Sequence, residues 1–192
     1  SSNGFFINES GDAISGFTPF KGASKAIVID AQGKEYEVEY ILGANETYDV
    51  VKFKTNNKKS IPLSISATEA DDSTTVWLLP YSAKKTPLCH KGVINKAEVI
   101  STEYKYYTIS ANVTDNVLCC PFLNENGEVI GIMQESSKSD EGICYAVSAR
   151  FANDLKLSGL SINDPVLKST NIKKSLPEDV DQAILTLYIA NG

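Results

Sequence analysis

The sequence predicts an all-β protein, and three observations carry that reading. Short apolar or alternating segments recur through most of the chain at the regular spacing of a barrel or sandwich. Turn-forming clusters separate them, such as Glu9-Ser10-Gly11-Asp12, Ala31-Gln32-Gly33-Lys34 and Asn124-Glu125-Asn126-Gly127. No helical pattern lies between the strands, which disfavours a parallel βαβ sheet.

In chain order, Gly4 to Asn8 and Ala13 to Phe17 read as two strands joined by a tight turn. Ser24 to Asp30 is β-branched and apolar. Glu35 to Tyr40 alternates strictly, the mark of a strand with one wet face, and Tyr48 to Lys54 follows. Two polar stretches, Thr55 to Lys59 and Thr68 to Ser73, mark a boundary between halves. The second half restarts at Thr74 to Pro80. It continues through Lys91 to Ile100, Glu103 to Ser110, Pro121 to Leu123, Glu128 to Met133 and Ile143 to Val147. Helical signals come late. Ser148 to Leu157 predicts a short helix, and Ser175-Leu176-Pro177-Glu178 forms a capping box. Val180, Ala183, Ile184, Leu187 and Tyr188 then follow at helical spacing, predicting an amphipathic helix over Leu176 to Ala190. The expected division is therefore 1–67, 68–147, a helix and connection over 148–174, and a helix over 175–192 that could open a further helical domain.

Composition narrows the function classes. The net charge of −6 and scattered lysine pairs (Lys58-Lys59, Lys84-Lys85, Lys173-Lys174) argue against a nucleic-acid partner, which needs clustered cations. No apolar run approaches the ~20 residues of a membrane span. The start at Ser1, without Met, reads as a processed precursor or a trimmed segment. Four cysteines are present; Cys119-Cys120 cannot readily bond to each other, so any bridge would run to Cys89 or Cys144, and bridged and free states both remain open. No cofactor is expected. A zinc cluster of Cys89, His90, Cys119 and Cys120 lacks both C-x-x-C and H-x₃-H spacing. The triplets at Asn8, Asn45 and Asn112 are glycosylation acceptors only in a eukaryotic secretory setting.

The most informative stretch is Asn116-Val117-Leu118-Cys119-Cys120-Pro121-Phe122-Leu123-Asn124-Glu125-Asn126-Gly127-Glu128-Val129-Ile130-Gly131-Ile132. A tight corner runs into a short strand, an Asn-Gly hairpin and a second strand. It resembles the nucleophile segment of trypsin-like serine peptidases of the HtrA type, which reads roughly G-N-S-G-G-P-L-L-N-x-x-G-E-V-I-G-I. Gly4-Phe5-Phe6-Ile7, the Gly11 to Ala23 segment, Tyr48 to Lys52, Trp77 to Tyr81 and Gly142 to Val147 are similar to further segments of that family, in the same order. The resemblance implies two six-stranded antiparallel β-barrels followed by short C-terminal helices.

It also implies the site. The family's histidine falls at Thr18, its aspartate at Asp49, its serine at Leu118 and its oxyanion-hole glycine at Asn116. A serine attacks only when a base removes its proton and a third group orients that base. Leu118 has no lone pair, and Thr18 is no base near neutral pH. On this correspondence the domain is a catalytically degenerate peptidase, with Asp49 left to bond backbone amides and Asn116 keeping part of the oxyanion hole. The candidate surface for an extended peptide is the strand bearing Ile130, Gly131, Ile132 and Met133, because main-chain pairing needs no triad. A second expected partner is a C-terminal helical-repeat domain, and the expected setting is extracytoplasmic and bacterial. The alternative is an active peptidase with Cys119 or Cys120 as a displaced nucleophile. Those cysteines stand two and one residues before Pro121 rather than three, and the single histidine, His90, lies beside Cys89 in the second half.

Overall fold

The protein is described by a computed structural model over residues 2–81, 88–113, 116–136, 142–156 and 182–187. Two closed six-stranded barrels stand side by side. The first contains β1 (Ser2–Phe6), β2 (Asp12–Gly16), β3 (Lys25–Ile29), β4 (Glu35–Asn45) and β5 (Val50–Thr55), with a single 3-10 turn at Thr18–Phe20. The second contains β6 (Thr75–Leu78), β7 (His90–Val99), β8 (Lys105–Ala111), β9 (Pro121–Leu123), β10 (Val129–Ser136) and β11 (Ile143–Ser148). A six-residue helix, α1 (Ala149–Asp154), follows, and β12 (Gln182–Leu187) is the last element. These elements confirm the all-β, two-barrel expectation.

Neighbouring residues face different cores, as a strand's two-residue period requires. Phe6 and Ala13 enter the interior of the first barrel with Val28, Ile41, Val51 and Phe53. Phe5 and Ile14, one position away, point instead into the seam between the barrels, where they meet Leu123, Val129, Ile132 and Val147. The second barrel closes on Leu78, Ile94, Tyr107, Ile109, Phe122 and Met133. With both faces covered, β1 reads as continuous burial rather than alternation.

The connection between barrels is itself bonded to both. Leu63 N–H donates to Phe6 C=O, and Ser66 N–H to Val129 C=O, while Val129 N–H donates to Ser64 C=O. α1 seals the seam from the C-terminal side. Ser148 caps it by accepting from Phe151 N–H, Ala149 and Ala152 are buried, and Lys52 Nζ of β5 donates to Asn153 C=O.

One expectation is corrected. Gln182–Leu187 is a strand, not part of an amphipathic helix, and it completes the first barrel between β1 and β3. Gln182 to Thr186 pairs in parallel with Lys25 to Ile29, and Leu185 to Leu187 with Ser2 to Gly4. A short apolar run such as Ala183-Ile184-Leu185 satisfies either period, and here two strand edges with open backbone groups decide between them. The capping box at Ser175 to Glu178 lies outside the described residues.

Candidate functional site

The residues matched to a peptidase triad come from three segments that the fold brings to the seam. β2 ends at Gly16 and passes into the turn holding Thr18. The β4–β5 loop presents Asp49, whose φ of 48° is the left-handed conformation that short polar side chains tolerate. The corner before β9 carries Asn116 to Cys120 from the second barrel.

Thr18 and Asp49 meet directly. Asp49 Oδ1 accepts from Thr18 N–H at 2.6 Å and from Thr18 Oγ1 at 2.7 Å, and Asp49 C=O accepts from Phe17 N–H at 3.2 Å. The carboxylate thus caps the 3-10 turn, the structural use expected for it. Leu118 is at the surface, with 36% of its area exposed. Its N–H donates to Asn116 Oδ1 at 3.1 Å, closing an Asx turn. That bond matters chemically, because an N–H engaged by its own neighbour is not open to an incoming carbonyl oxygen.

Asn3 of β1, which sequence reasoning missed, holds this corner in place. Its N–H and Nδ2 donate to Leu118 C=O at 3.1 and 2.7 Å, and Nδ2 also donates to Asn116 C=O at 3.0 Å. Its Oδ1 accepts from Tyr81 N–H at 2.9 Å, and its C=O accepts from Ser15 Oγ at 2.6 Å. A single buried amide therefore satisfies three backbone groups of the second barrel. Nothing local in Ser2-Asn3-Gly4 signals contacts more than a hundred residues away.

Cys119 faces the same seam as a buried thiol. It is 2% exposed, adopts a φ of 61° and donates its N–H to Met133 C=O at 2.6 Å. Gly16 is required opposite it: a Cβ there would lie 2.5 Å from Cys119 Sγ and 3.4 Å from Asp49 Oδ2. Burial, and then the Asp49 carboxylate, push the Cys119 thiol up to about 12, opposed by hydrogen bonds from Ser2 and Gly16. Cys120 is fully buried and its thiol is raised well above the ordinary thiol range, first by burial and then by Cys119 and Cys144. All four cysteines are free thiols. His90 sits at the start of β7 opposite Leu78, within the second barrel's own sheet. Among the described residues no cluster of His, Cys, Asp or Glu is arranged to hold a metal.

The expected peptide-pairing residues need correction. Along β10, Gly131 and Ile132 pair with Phe122 and Pro121 of β9 on one edge, and with Ser148 and Val147 of β11 on the other. Met133 pairs with Ala146, donates its N–H to Cys120 C=O and accepts from Cys119 N–H. Ile130 is buried in the second barrel. Ile130 to Met133 therefore offers no free edge, because β10 is an interior strand there. Beyond Met133, Glu135 and Ser136 pair with β11 alone among the described residues, and the buried Gln134 Nε2 has no hydrogen-bond partner. A cleft of about 610 Å³ lined by Lys91, Val93, Ser110, Asn112 and Gly142 shares no residue with this site.

No protein-family model matches the sequence, and no curated protein matches it either. Solved structures do. The serine endoprotease from Yersinia pestis aligns at TM-score 0.66 and 18% identity, covering 78% of this chain and 54% of that one. An inactive serine-to-alanine mutant of Rv3671c from Mycobacterium tuberculosis aligns at 0.62 and 17%, covering 91% and 83%. The active form of the Rv3671c protease aligns at 0.55 and 18%, covering 77% and 68%. The chain has the trypsin-like serine peptidase fold, and it spans about half the length of the Yersinia enzyme. No helix among the described residues is long and apolar enough to cross a membrane.

Proposed function

We propose that this chain is a catalytically silent trypsin-like peptidase domain, serving as a protein- or peptide-binding or structural module of an extracytoplasmic bacterial protein. The observation that carries the reading is the Thr18–Asp49 clasp. At the positions matched to base and orienting acid, a hydroxyl and an amide saturate one carboxylate oxygen, leaving no imidazole to receive a proton. Leu118 at the nucleophile position adds hydrocarbon, and its N–H is already engaged by Asn116 Oδ1. Peptide binding, on this reading, uses strand addition on β10 past Met133, at Gln134 to Ser136, rather than at Ile130 to Met133.

The displaced-cysteine alternative requires an accessible thiolate with a base beside it. Cys119 and Cys120 are buried protonated thiols, and His90 lies in the β6–β7 pair. Incubation with an unfolded protein substrate and with fluorophosphonate and thiol-directed probes tests the proposal. The expected outcome is no turnover and no labelling at the seam. Turnover lost in Cys119→Ala or Cys120→Ala but kept in Cys89→Ser would overturn it.

A further inference from the structure

The two barrels close differently, and the difference points to a second site, built on the strand edges of the first barrel. In the second barrel every neighbouring pair is antiparallel, and β6 fills the place between β7 and β9. In the first, β1 to β5 form an antiparallel run whose two end strands, β1 and β3, face one gap. β12 fills that gap while running parallel to both flanking strands. Parallel pairing is slightly weaker per residue than antiparallel pairing, and an empty gap would leave two rows of unpaired backbone groups. β12 reaches its place through residues 157–181, a length of chain able to span up to about 80 Å. Its departure therefore breaks no strand of the second barrel and leaves α1 attached through Ala149, Ala152 and the Lys52–Asn153 bond.

The same gap is wired to the corner. β12 pairs with Ser2, Asn3 and Gly4, the end of β1 from which Asn3 holds Leu118 C=O, Asn116 C=O and Tyr81 N–H. Ser2 Oγ bonds Ser15 Oγ at 2.9 Å, so this end of β1 also packs on β2 behind Cys119. Without β12 the first three residues of β1 would keep one ladder partner, β2, which meets Gly4 but neither Ser2 nor Asn3 in register.

We propose that the gap between β1 and β3 is a strand-binding seat, occupied in cis by the removable strand β12, and that its occupancy controls the Asn116 to Cys119 corner through Asn3. Seating β12 fixes the end of β1, Asn3 fixes the corner, and the corner buries Cys119. Vacating the seat frees the corner while the second barrel stays folded.

The test uses the full chain carrying Cys89→Ser, which removes the exposed thiol. Ile184→Pro places a residue without an N–H in the centre of β12. The expected result is faster amide exchange at Ser2 to Gly4 and Lys25 to Ile29, with alkylation of Cys119 accelerated at least about ten-fold. Alkylation of Cys120 and Cys144 and the emission of Trp77 on β6 stay unchanged. Asn3→Asp, which keeps the acceptor for Tyr81 but loses the Nδ2 donor, accelerates Cys119 alkylation without altering exchange in β3. Ile184→Pro added to Asn3→Asp then changes that rate less than about two-fold. A peptide of the Gln182–Leu187 sequence at millimolar concentration, comparable to that of a tethered strand, slows alkylation of the Ile184→Pro chain again. Unchanged Cys119 alkylation in Ile184→Pro overturns the coupling. Release of all three thiols together overturns the removable strand, and absence of protection by the peptide overturns the strand-binding seat.

Discussion

The second barrel is built from six strands consecutive in the chain, whereas the first takes five from its N-terminal third and a sixth from Gln182–Leu187. Local strands close their loops at small entropic cost, and a distant one must be brought back across a long connection. The second barrel can therefore form its core of Leu78, Tyr107, Phe122 and Met133 from neighbours in sequence. The first has its own core around Phe6, Phe20 and Phe53, yet depends for closure on a strand outside that run. Perturbations inside the second barrel should hence act on a self-sufficient unit. Those in the first should act on a unit that stays conditional on β12.

The largest effect is expected at Gly131, where the second barrel is tightest. A Cβ there would stand 2.3 and 2.5 Å from Cε1 and Cζ of the buried Phe122 ring and 2.8 Å from Val147 C=O. Neither neighbour is a flexible tip, so the strand itself must move. Gly131→Ala should cost about 3 kcal/mol, and Phe122→Leu in the same chain should return part of it. Denaturant unfolding followed by Trp77, the single tryptophan, reads the second barrel specifically. The far-UV signal reads both barrels. Coincident transitions mean that the seam formed by Phe5, Ile14, Leu123 and Ile132 couples the barrels into one unit. An unchanged Trp77 midpoint would break the picture of a tightly closed second barrel.

Next in size is Glu69, on the segment entering the second barrel. Its carboxylate accepts from Ser148 Oγ at 2.5 Å, Arg150 Nη1 at 3.3 Å and the Tyr107 hydroxyl. Tyr107 and Ser148 are both fully buried, so Glu69→Ala strands two hydroxyls without acceptors. A loss of about 2 kcal/mol follows, and Glu69→Gln, which retains an acceptor oxygen, should lose less. Equal midpoints for Glu69→Ala and the parent chain would remove this network from the account of the second barrel.

Alkaline unfolding should show the burial of titrating groups in the second barrel and at the seam. Burial, and then its bond to Glu69, raises the Tyr107 phenol well above the ordinary tyrosine range. Burial and Asp49 push the Cys119 thiol up to about 12. Both groups are held neutral by folding, while the unfolded chain ionises them at about 10 and 8.5. Their stabilising contribution is thus complete below those values and declines as pH rises through them. Under reducing conditions, urea midpoints should begin to fall above about pH 8.5 and fall more steeply above about pH 10. Tyr107→Phe should flatten the later part and Cys119→Ala the earlier; identical slopes in all three chains would contradict these assignments.

Most of the fold was legible because its signals are local. The Asn124 to Gly127 hairpin appears as read, with Asn124 Oδ1 accepting from Asn126 and Glu128 N–H and Gly127 at a φ of 76°. Strand ends differ by a residue or two: Gly4 to Asn8 is observed as Ser2–Phe6, and Glu35 to Tyr40 extends to Asn45. What failed was non-local. Gln182–Leu187 carries a pattern that fits a helix stripe and a strand equally, and only the gap between β1 and β3 selects one. Ile130 to Met133 was correctly a strand, but whether its edges are free depends on β9 and β11. Motif order placed Thr18 and Asp49 at matched positions without foretelling their side-chain bond, and Asn3 could not be found, since its partners at Tyr81, Asn116 and Leu118 leave no trace near it in sequence.

The smallest expected effect concerns that Thr18–Asp49 encounter. Thr18 is exposed, so its hydroxyl bond to Asp49 competes with water and its loss uncovers no buried group. Thr18→Val removes the Oγ1 donor at nearly constant shape but leaves the backbone N–H on Asp49 Oδ1. A loss of about 1 kcal/mol is expected, and Thr18→Ser, which keeps the hydroxyl, should stay near the parent value. Because the turn belongs to the first barrel, the change should also speed amide exchange at Phe17 to Lys21 while leaving β7 and β8 as they were. If Thr18→Val and Thr18→Ser behave alike, the hydroxyl is idle and the carboxylate is held by the backbone alone. If exchange in β7 and β8 rises as well, the first barrel is less separable from the second than their unequal closure implies.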